Sequence, residues 1–379
     1  MILASHDRPF VKYSIVHNAY NDCDLIILEE ACRVSEPASR AINAYYPKCR
    51  SKVYVGDKMQ LKVVVLSASG DRGEFQDQLL ISEMTRLQSN GFPTALFDTQ
   101  YRMVPEIAAI ANDNVYHGLL KNDPSTFVEN RPLARDLRAY NVKHHARGYN
   151  VVFLDIIHAE TNLTATKSRY NDTYVMHGLN EASRLMDTFP EASIAYLTTY
   201  QAQYRNLAAG KEKMVAANEA YDRLVVDTID SRQGDEFDVT IIDLLMVGKP
   251  AGFQGLLNRL CVYFTRARNA LYILGTKAQI DEARDRWLRS FQSTFLKYRV
   301  KVEAETVSCP YFQPGLIDMA YEKAETDEFK TDEKAVEDAW GGQAGAGDNA
   351  GDAPAEEAGD ATGDAWNDGA GGVAPGEGW

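Results

Sequence analysis

Residues Leu25-Ile26-Ile27-Leu28-Glu29-Glu30-Ala31-Cys32 read LIILEEAC, four apolar side chains running straight into two adjacent carboxylates. A short apolar run without alternation is the pattern of a strand buried on both faces of a parallel sheet. Such a strand delivers the residues after it to the sheet's carboxyl edge, where open α/β sheets bind ligands. Two carboxylates there suit nucleotide hydrolysis, one near a cation and the other taking a proton from water. Alone, the stretch also reads as a strand followed by an acidic helix start.

The same grammar recurs downstream. Short apolar runs at Val53–Val55, Thr94–Phe97, Val151–Asp155, Ser193–Leu197, Leu224–Asp227, Val239–Leu244 and Leu271–Leu274 predict strands. Amphipathic stretches such as Asn180–Phe189 and Gln254–Ala267 predict helices between them. Strands alternating with helices imply α/β architecture with parallel sheets. The strands fall into two groups, before and after about Gly91, and the first group is too small for a full sheet. A helical stretch after Trp287 reaches about Tyr298, and two prolines in VSCPYFQPG mark irregular structure.

Charge divides the 379-residue chain differently. Its net charge is −14, but residues 321–379 carry 16 Asp/Glu against 3 Lys, leaving 38 acidic and 37 basic residues before them. The acidity belongs to a Gly/Ala-rich tail that lacks the aliphatic residues for a core. The near-neutral remainder neither demands nor excludes nucleic acid. Five cysteines without a C-x-x-C pair argue for a reducing compartment and against a zinc site. His144-His145 show no ligand spacing and are expected in a solvated loop. No run approaches the roughly 18 apolar residues of a membrane helix, and no signal peptide is evident. The expected setting is cytoplasmic or nuclear.

Four further clusters stand in order after LIILEEAC. Gly56-Asp57-Lys58-Met59-Gln60-Leu61 is a turn carrying a polar amide, suited to sensing phosphate but equally an ordinary turn. Asp98-Thr99-Gln100-Tyr101-Arg102-Met103-Val104-Pro105-Glu106-Ile107 puts an arginine just past the expected Thr94–Phe97 strand and before a helix, where it could reach across a cleft to a phosphate or be a surface arginine at a helix start. Thr228-Ile229-Asp230-Ser231-Arg232-Gln233-Gly234-Asp235-Glu236 gathers polar groups between two strands, with a glycine permitting close backbone approach. Asn258-Arg259-Leu260 through Thr265-Arg266-Ala267-Arg268 puts three arginines on or near one helix. Each alone reads as plainly as a turn or a solvated face.

Their order and spacing resemble the motifs of superfamily 1B helicases, in particular the nonsense-mediated-decay helicase family and its relatives, over roughly residues 24 to 280. Thr198-Thr199-Tyr200-Gln201-Ala202-Gln203 and Ser35-Glu36-Pro37 resemble that family as well. The resemblance implies RecA-like parallel sheets flanked by helices, one partial and one complete. It implies a first domain ending near residue 91 and a second over 92–280; an extension over 281–320 and, by composition, a disordered tail over 321–379 follow them. ATP with Mg²⁺ would lie between the domains, and single-stranded nucleic acid, RNA ahead of DNA, across them. Position by position, Glu29 takes the Mg²⁺ place and Glu30 the general base. Gln60 senses the γ-phosphate; Arg102 and Arg266 neutralise its charge. Gln233, Gly234, Glu236 and Arg268 line the nucleotide side, and Thr198, Thr228 and Ser231 meet nucleic-acid phosphates.

The sequence departs from the family in ways that bear on catalysis. No Gly-Lys-Ser or Gly-Lys-Thr occurs; Gly248-Lys249 precedes Pro250 and Gly210-Lys211 precedes Glu212. The phosphate-binding loop, with its cradle of backbone amides and its lysine, is therefore absent from this sequence. Glu29 stands for the usual Asp and Arg33 for a Gln. Two expectations compete: a portion of a longer ATP-dependent helicase, or a short protein that binds nucleic acid or protein without catalysis. In either case robust ATP hydrolysis by this chain alone is not expected. Trp340-Gly341 and Gly378-Trp379 in the acidic tail resemble Argonaute-binding segments of RNA-silencing proteins, which makes Argonaute a candidate partner through Trp340 and Trp379; an acidic solubilising tail is the other reading.

Overall fold

A computed structural model describes residues 22–63, 76–232, 234–246, 256–282, 290–304 and 308–315. Gln233 and the 321–379 tail, with Trp340 and Trp379, lie outside them.

The chain first builds a small unit. Strands β1 (Leu25–Leu28) and β2 (Ser51–Tyr54) pair in parallel, with Leu25 opposite Ser51 and Leu28 opposite Tyr54. Helix α1 (Glu36–Tyr45) connects them; Pro37 sits in its first turn, and the Ser35 side chain accepts from the Ala38 amide. Leu28, Ala31 and Ile42 form the unit's core, with Ile26, Tyr54 and Met84 packed on it. Helix α2 (Glu83–Ser89) adds Glu83, which accepts hydrogen bonds from Ser39 and Tyr54. The strand is parallel, as its sequence implies, but not buried on both faces: Leu25 and Ile27 are 49% and 59% exposed. Among the described residues, two strands with a helix on one side cover one face only.

The second unit is built around six parallel strands: β5 (Val151–Ile157), β8 (Ile194–Thr198), β9 (Val225–Thr228), β10 (Phe237–Asp243), β11 (Ala267–Gly275) and β12 (Arg299–Glu303). Their order is β12-β5-β11-β10-β8-β9. Two-residue strands β3 (Thr99–Gln100) and β4 (Lys121–Asn122) pair beside it in parallel, and β6 (Asn162–Leu163) and β7 (Arg169–Tyr170) pair antiparallel.

Alternate residues of each central strand enter different cores. Val151, Phe153, Leu197, Ile242, Leu271 and Ile273 pack with α3 (Pro105–Asn114), α7 (Leu257–Phe264) and α8 (Gln292–Lys297). Val152, Leu154, Ile194, Tyr196, Ile241 and Tyr272 pack with α5 (Asp172–Thr188) and α6 (Gln201–Ala217). Both faces are covered, which is why these strands carry near-continuous apolar runs. Helix α5 lies close to β8 at Gly178, where an added Cβ would stand 2.1 Å from the Tyr196 ring.

Several expectations need correction. Thr94–Phe97 forms no strand; Pro93 lacks an amide donor, no described residue pairs with the segment, and Phe97 is 84% exposed. The helix expected to Ala267 ends at Phe264 because Ala267 opens β11, so Arg266 sits in the helix-to-strand turn and Arg268 is the second residue of β11. The Thr265 hydroxyl bonds back to the Cys261 and Val262 carbonyls and closes that helix. β12 was not evident as a strand. Among the described residues it is an edge strand paired with β5, and its alternating RVKVE carries a weak apolar signal. His144-His145 end helix α4 (Pro132–His145), and His145 contacts buried Glu181 at 3.0 Å.

Candidate functional site

The loops that follow β1 and β2 meet the loops that precede β10 and β11. On the first side, β1 ends in exposed Glu29 and half-buried Glu30. Glu30 adopts φ 50°, ψ 38°, the left-handed region, before the 3₁₀ turn Ala31–Arg33. That conformation costs a non-glycine residue about 1–2 kcal/mol. The turn is tied to β2: Val55 N donates to Leu28 O at 2.8 Å, and Ala31 N to Val55 O at 2.9 Å. Gly56 lies so close that an added Cβ would stand 3.1 Å from Ala31 N and 3.2 Å from Cys32 N. A side chain there would separate the carboxylate loop from the loop carrying Gln60.

Asp57 organises that second loop. Its carboxylate accepts from Met59 N at 2.8 Å and from Gln60 Nε2 at 3.0 Å. The same carboxylate accepts from the Tyr116 hydroxyl, which lies 3.1 Å from Cys261 Sγ on α7. Asn258, also on α7, donates to Lys58 O and to Gln60 O at 3.1 and 2.7 Å. The Gln60 loop is thus bolted to the second unit. Burial pushes the Cys261 thiol up to about 12, so it remains protonated at neutral pH.

On the facing side, Gln100 holds the arginine loop. Its Oε1 accepts from Arg102 N and Met103 N at 3.0 and 2.8 Å; its Nε2 donates to Met103 O and to Asn122. Arg131 fastens the outer side, donating to the carbonyls of Ser125, Tyr101, Arg102 and Arg268. Arg102 Nε donates to Glu236 at 2.7 Å and its Nη1 to Thr265 O at 3.3 Å. Arg268 Nη1 lies 3.6 Å from the other oxygen of Glu236.

Arg266 is fully buried behind them, donating to Val262 O, Asp235 O and Thr265 Oγ1. Burial, then repulsion from Arg102, lowers its pKa to about 10, while Glu30 acts in the opposite sense. It stays a cation at neutral pH, within electrostatic reach of Glu30. Gln60, Gln100, Tyr101, Arg102, Met103, Tyr116, Leu120, Glu236 and Thr265 line an open pocket of about 440 Å³.

The structure therefore gathers Glu30, Gln60, Arg102, Arg266, Arg268 and Glu236 about one cleft. Gly234, at φ 92°, lies two residues before Glu236 and is exposed. The other set occupies the opposite, carboxyl edge of the large sheet. Thr228 ends β9, and its hydroxyl lies 3.2 Å from that of exposed Ser231, which also donates to Asp227 and to Thr228 O. Thr198 is a correction. It is fully buried, and its hydroxyl donates to Asp243 at 2.8 Å, so it presents nothing to a phosphate outside.

Arg131 and Tyr116 are the positions that sequence reading missed, and they stand outside every recognisable cluster. Asp57, Gln100 and Asn258 lie within the polar clusters, but their tasks depend on partners far along the chain.

The donor set fits an anion better than a free metal. Among the described residues no three His, Cys, Asp or Glu side chains group to hold a cation. Glu29 is a single exposed carboxylate, which is compatible with Mg²⁺ that arrives already bound to phosphates.

The family model described as an AAA domain matches residues 79–278, more than half of the chain. The chain belongs to that family. It is 27% identical over 268 residues to Probable helicase MAGATAMA 3 of Arabidopsis thaliana, covering 68% of this chain and 31% of that protein. It is 25% identical over 276 residues to Helicase SEN1 of Saccharomyces cerevisiae, covering 69% and 11%. It is 27% identical over 253 residues to 5'-3' DNA helicase ZGRF1 of Mus musculus, covering 66% and 13%. The helicase-like chain thus spans less than a third of the length of these relatives. Family and relatives together make it a superfamily 1 helicase-like protein with a RecA-like α/β fold. None of its described helices is long and apolar enough to cross a membrane.

Proposed function

We propose that the cleft binds the phosphates of ATP, carried with Mg²⁺, as part of a superfamily 1B helicase of the nonsense-mediated-decay type that moves on single-stranded nucleic acid. The observation that carries this is the convergence, about one 440 Å³ pocket, of Gln60 from one sheet's carboxyl edge and Arg102 from the other unit, with Arg266 buried behind. Phosphoryl transfer requires little covalent help from a protein. It requires fixed positive charge where the transferred group gains negative charge, and a positioned proton acceptor. Arg102 and Arg266 provide the charge from a braced backbone. Glu30 provides the acceptor, and Gln60 reports the occupant to the loop that Asp57 and Asn258 hold. Glu29 would share Mg²⁺ with the nucleotide, and the ion would supply charge neutralisation at the phosphates. Tyr101, 64% exposed on the pocket wall, offers a flat surface to a base.

Nucleic acid belongs on the opposite edge in this reading. Thr228 and Ser231 present hydroxyls there, which position a backbone without reading sequence. RNA stands ahead of DNA by family. The first RecA-like unit runs to about residue 91 and the second from 92 to 280.

Because the sequence has no Gly-Lys-Ser or Gly-Lys-Thr, this chain alone lacks a β-phosphate cradle. The purified 379-residue protein is expected to bind Mg·ATP without turning it over. Steady-state phosphate release that Glu30→Gln abolishes would overturn that expectation, and Mg·ATP binding unchanged by Arg102→Ala would overturn the site. A non-catalytic module for nucleic acid or protein is the second reading, favoured by Glu29 in place of Asp and by the missing loop. Argonaute capture through Trp340 and Trp379 belongs to it; capture unchanged by alanine at both positions removes that idea.

A further inference from the structure

The cleft's two outward arginines already hold an anion, and that anion belongs to the protein. Glu236 gives one carboxylate oxygen to Arg102 at 2.7 Å and the other faces Arg268 at 3.6 Å. The three side chains are 31%, 41% and 44% exposed for Arg102, Glu236 and Arg268, so solvent and solutes reach all of them. A carboxylate spanning two guanidinium groups has the charge and spacing of one face of a phosphate group.

The backbone is held on both sides of the ion pair, and the exposed side chains are what can rearrange. The arginine backbones are fixed: Gln100 bonds the amides of Arg102 and Met103, and Arg131 bonds the carbonyls of Tyr101, Arg102 and Arg268. Glu236 ends an exposed stretch that follows Gly234, whose φ is 92° and beside which a Cβ would meet nothing within 4 Å. Its neighbours' backbone is bonded as well, Asp235 O to the Arg266 guanidinium and Phe237 N to Arg266 O, so what can move is the exposed carboxylate, by rotation about its own side-chain torsions. An exposed ion pair of this kind is worth at most about 1 kcal/mol, so a polyphosphate with several charges out-competes it.

We propose that Glu236 is an internal counter-anion that occupies the phosphate seat of the resting cleft and must be displaced by an incoming polyphosphate. This rests on the reading of the cleft as a phosphate site and adds to it a built-in competitor. The competitor lowers affinity for stray anions and leaves Arg102 and Arg268 paired while the cleft is empty. A carboxylate that merely supported the loop, or that touched the nucleotide directly, would have the opposite mutational sign.

The test is calorimetric titration of sodium tripolyphosphate into the full 379-residue protein and its Glu236→Gln, Arg102→Gln and doubly substituted forms. Glu236→Gln is expected to tighten binding about fivefold, the worth of an exposed ion pair, and Arg102→Gln in the same chain to abolish the gain. Glu236→Ala repeats the measurement without a polar side chain and is expected to match Glu236→Gln. Binding that is unchanged or weaker in both Glu236 variants, yet weakened about tenfold by Arg102→Gln alone, overturns the internal anion and leaves the phosphate site standing. Binding that Arg102→Gln does not alter, or no binding by any form, overturns both.

Discussion

The β1–β2 sheet and the six-stranded sheet share one construction and differ in what covers them. In each, apolar strands run parallel and a helix joins successive strands. β1 has a helix-lined face and an open one, with Leu25 and Ile27 largely exposed. β5, β8, β10 and β11 are enclosed on both sides, and Phe153, Leu197, Ile241 and Ile273 are fully buried. The same sequence signal, a short aliphatic run, therefore stands for two energetic situations. Burial is a property of the layers around a strand, and a strand's own residues report only that they are suited to it.

The largest expected effect tests the enclosed sheet. Phe153 packs against Phe295, with ring centroids 5.3 Å apart, and lies beside Gly275. Phe153→Ala is expected to lower unfolding free energy by about 3–5 kcal/mol, because a close-packed site leaves a cavity when an aromatic ring is removed. Urea denaturation followed by circular dichroism measures it. A loss under about 1 kcal/mol would mean that the large sheet is no better packed than the small one.

A second contrast sets strand-end carboxylates against each other. Glu29 and Glu30 follow β1, one exposed and one half-buried, whereas Asp243 ends β10 in full burial, accepting from Thr198, Gln203 and Tyr263. Burial raises the Asp243 pKa to about 6, against the pull of those hydrogen bonds. The folded protein therefore binds this proton more tightly than the unfolded chain does. The resulting stabilisation is complete below the ordinary carboxylate range and is lost as pH rises through about 6. From pH 4 to pH 7 this group is expected to remove about 2 kcal/mol of stability. Asp243→Asn should flatten that slope, as urea midpoints of both proteins across the range would reveal. Parallel pH profiles for the two proteins would show that Asp243 keeps an ordinary acidity.

The same distinction sets how much of the molecule is legible in its sequence. The α/β class and most strand positions are readable, because β-rich aliphatic runs between turns carry their signal locally. The cleft is readable through Glu30, Gln60, Arg102 and Arg266 only by their order along the chain, since each alone is an ordinary turn or surface residue. Arg131 and Tyr116 are not readable at all. Arg131 acts on four backbone carbonyls, and every residue type offers one. Tyr116 acts by joining Asp57, 59 positions before it, to Cys261, 145 positions after it. Thr198 was misplaced for a related reason: a hydroxyl at a strand end suits a phosphate or a buried carboxylate, and Asp243 decides which.

The smallest expected effect is the most informative about the open face of β1. Ile27 is 59% exposed, so Ile27→Ser removes little apolar surface that folding had taken from water. The change in unfolding free energy is expected to stay within about 0.5 kcal/mol, as for surface substitutions generally. Serine is a poorer strand former than isoleucine, which accounts for part of even that. The matched control is Ile26→Ser on the covered face, where Ile26 packs on Leu28, Ala31 and Ile42. The same chemical change there should cost more, because it places a hydroxyl against an apolar cluster. Equal losses at the two positions, each above about 1.5 kcal/mol, would mean that β1 is enclosed on both sides in solution. The sequence of the strand would then have described its surroundings correctly, and the two sheets would differ in size alone.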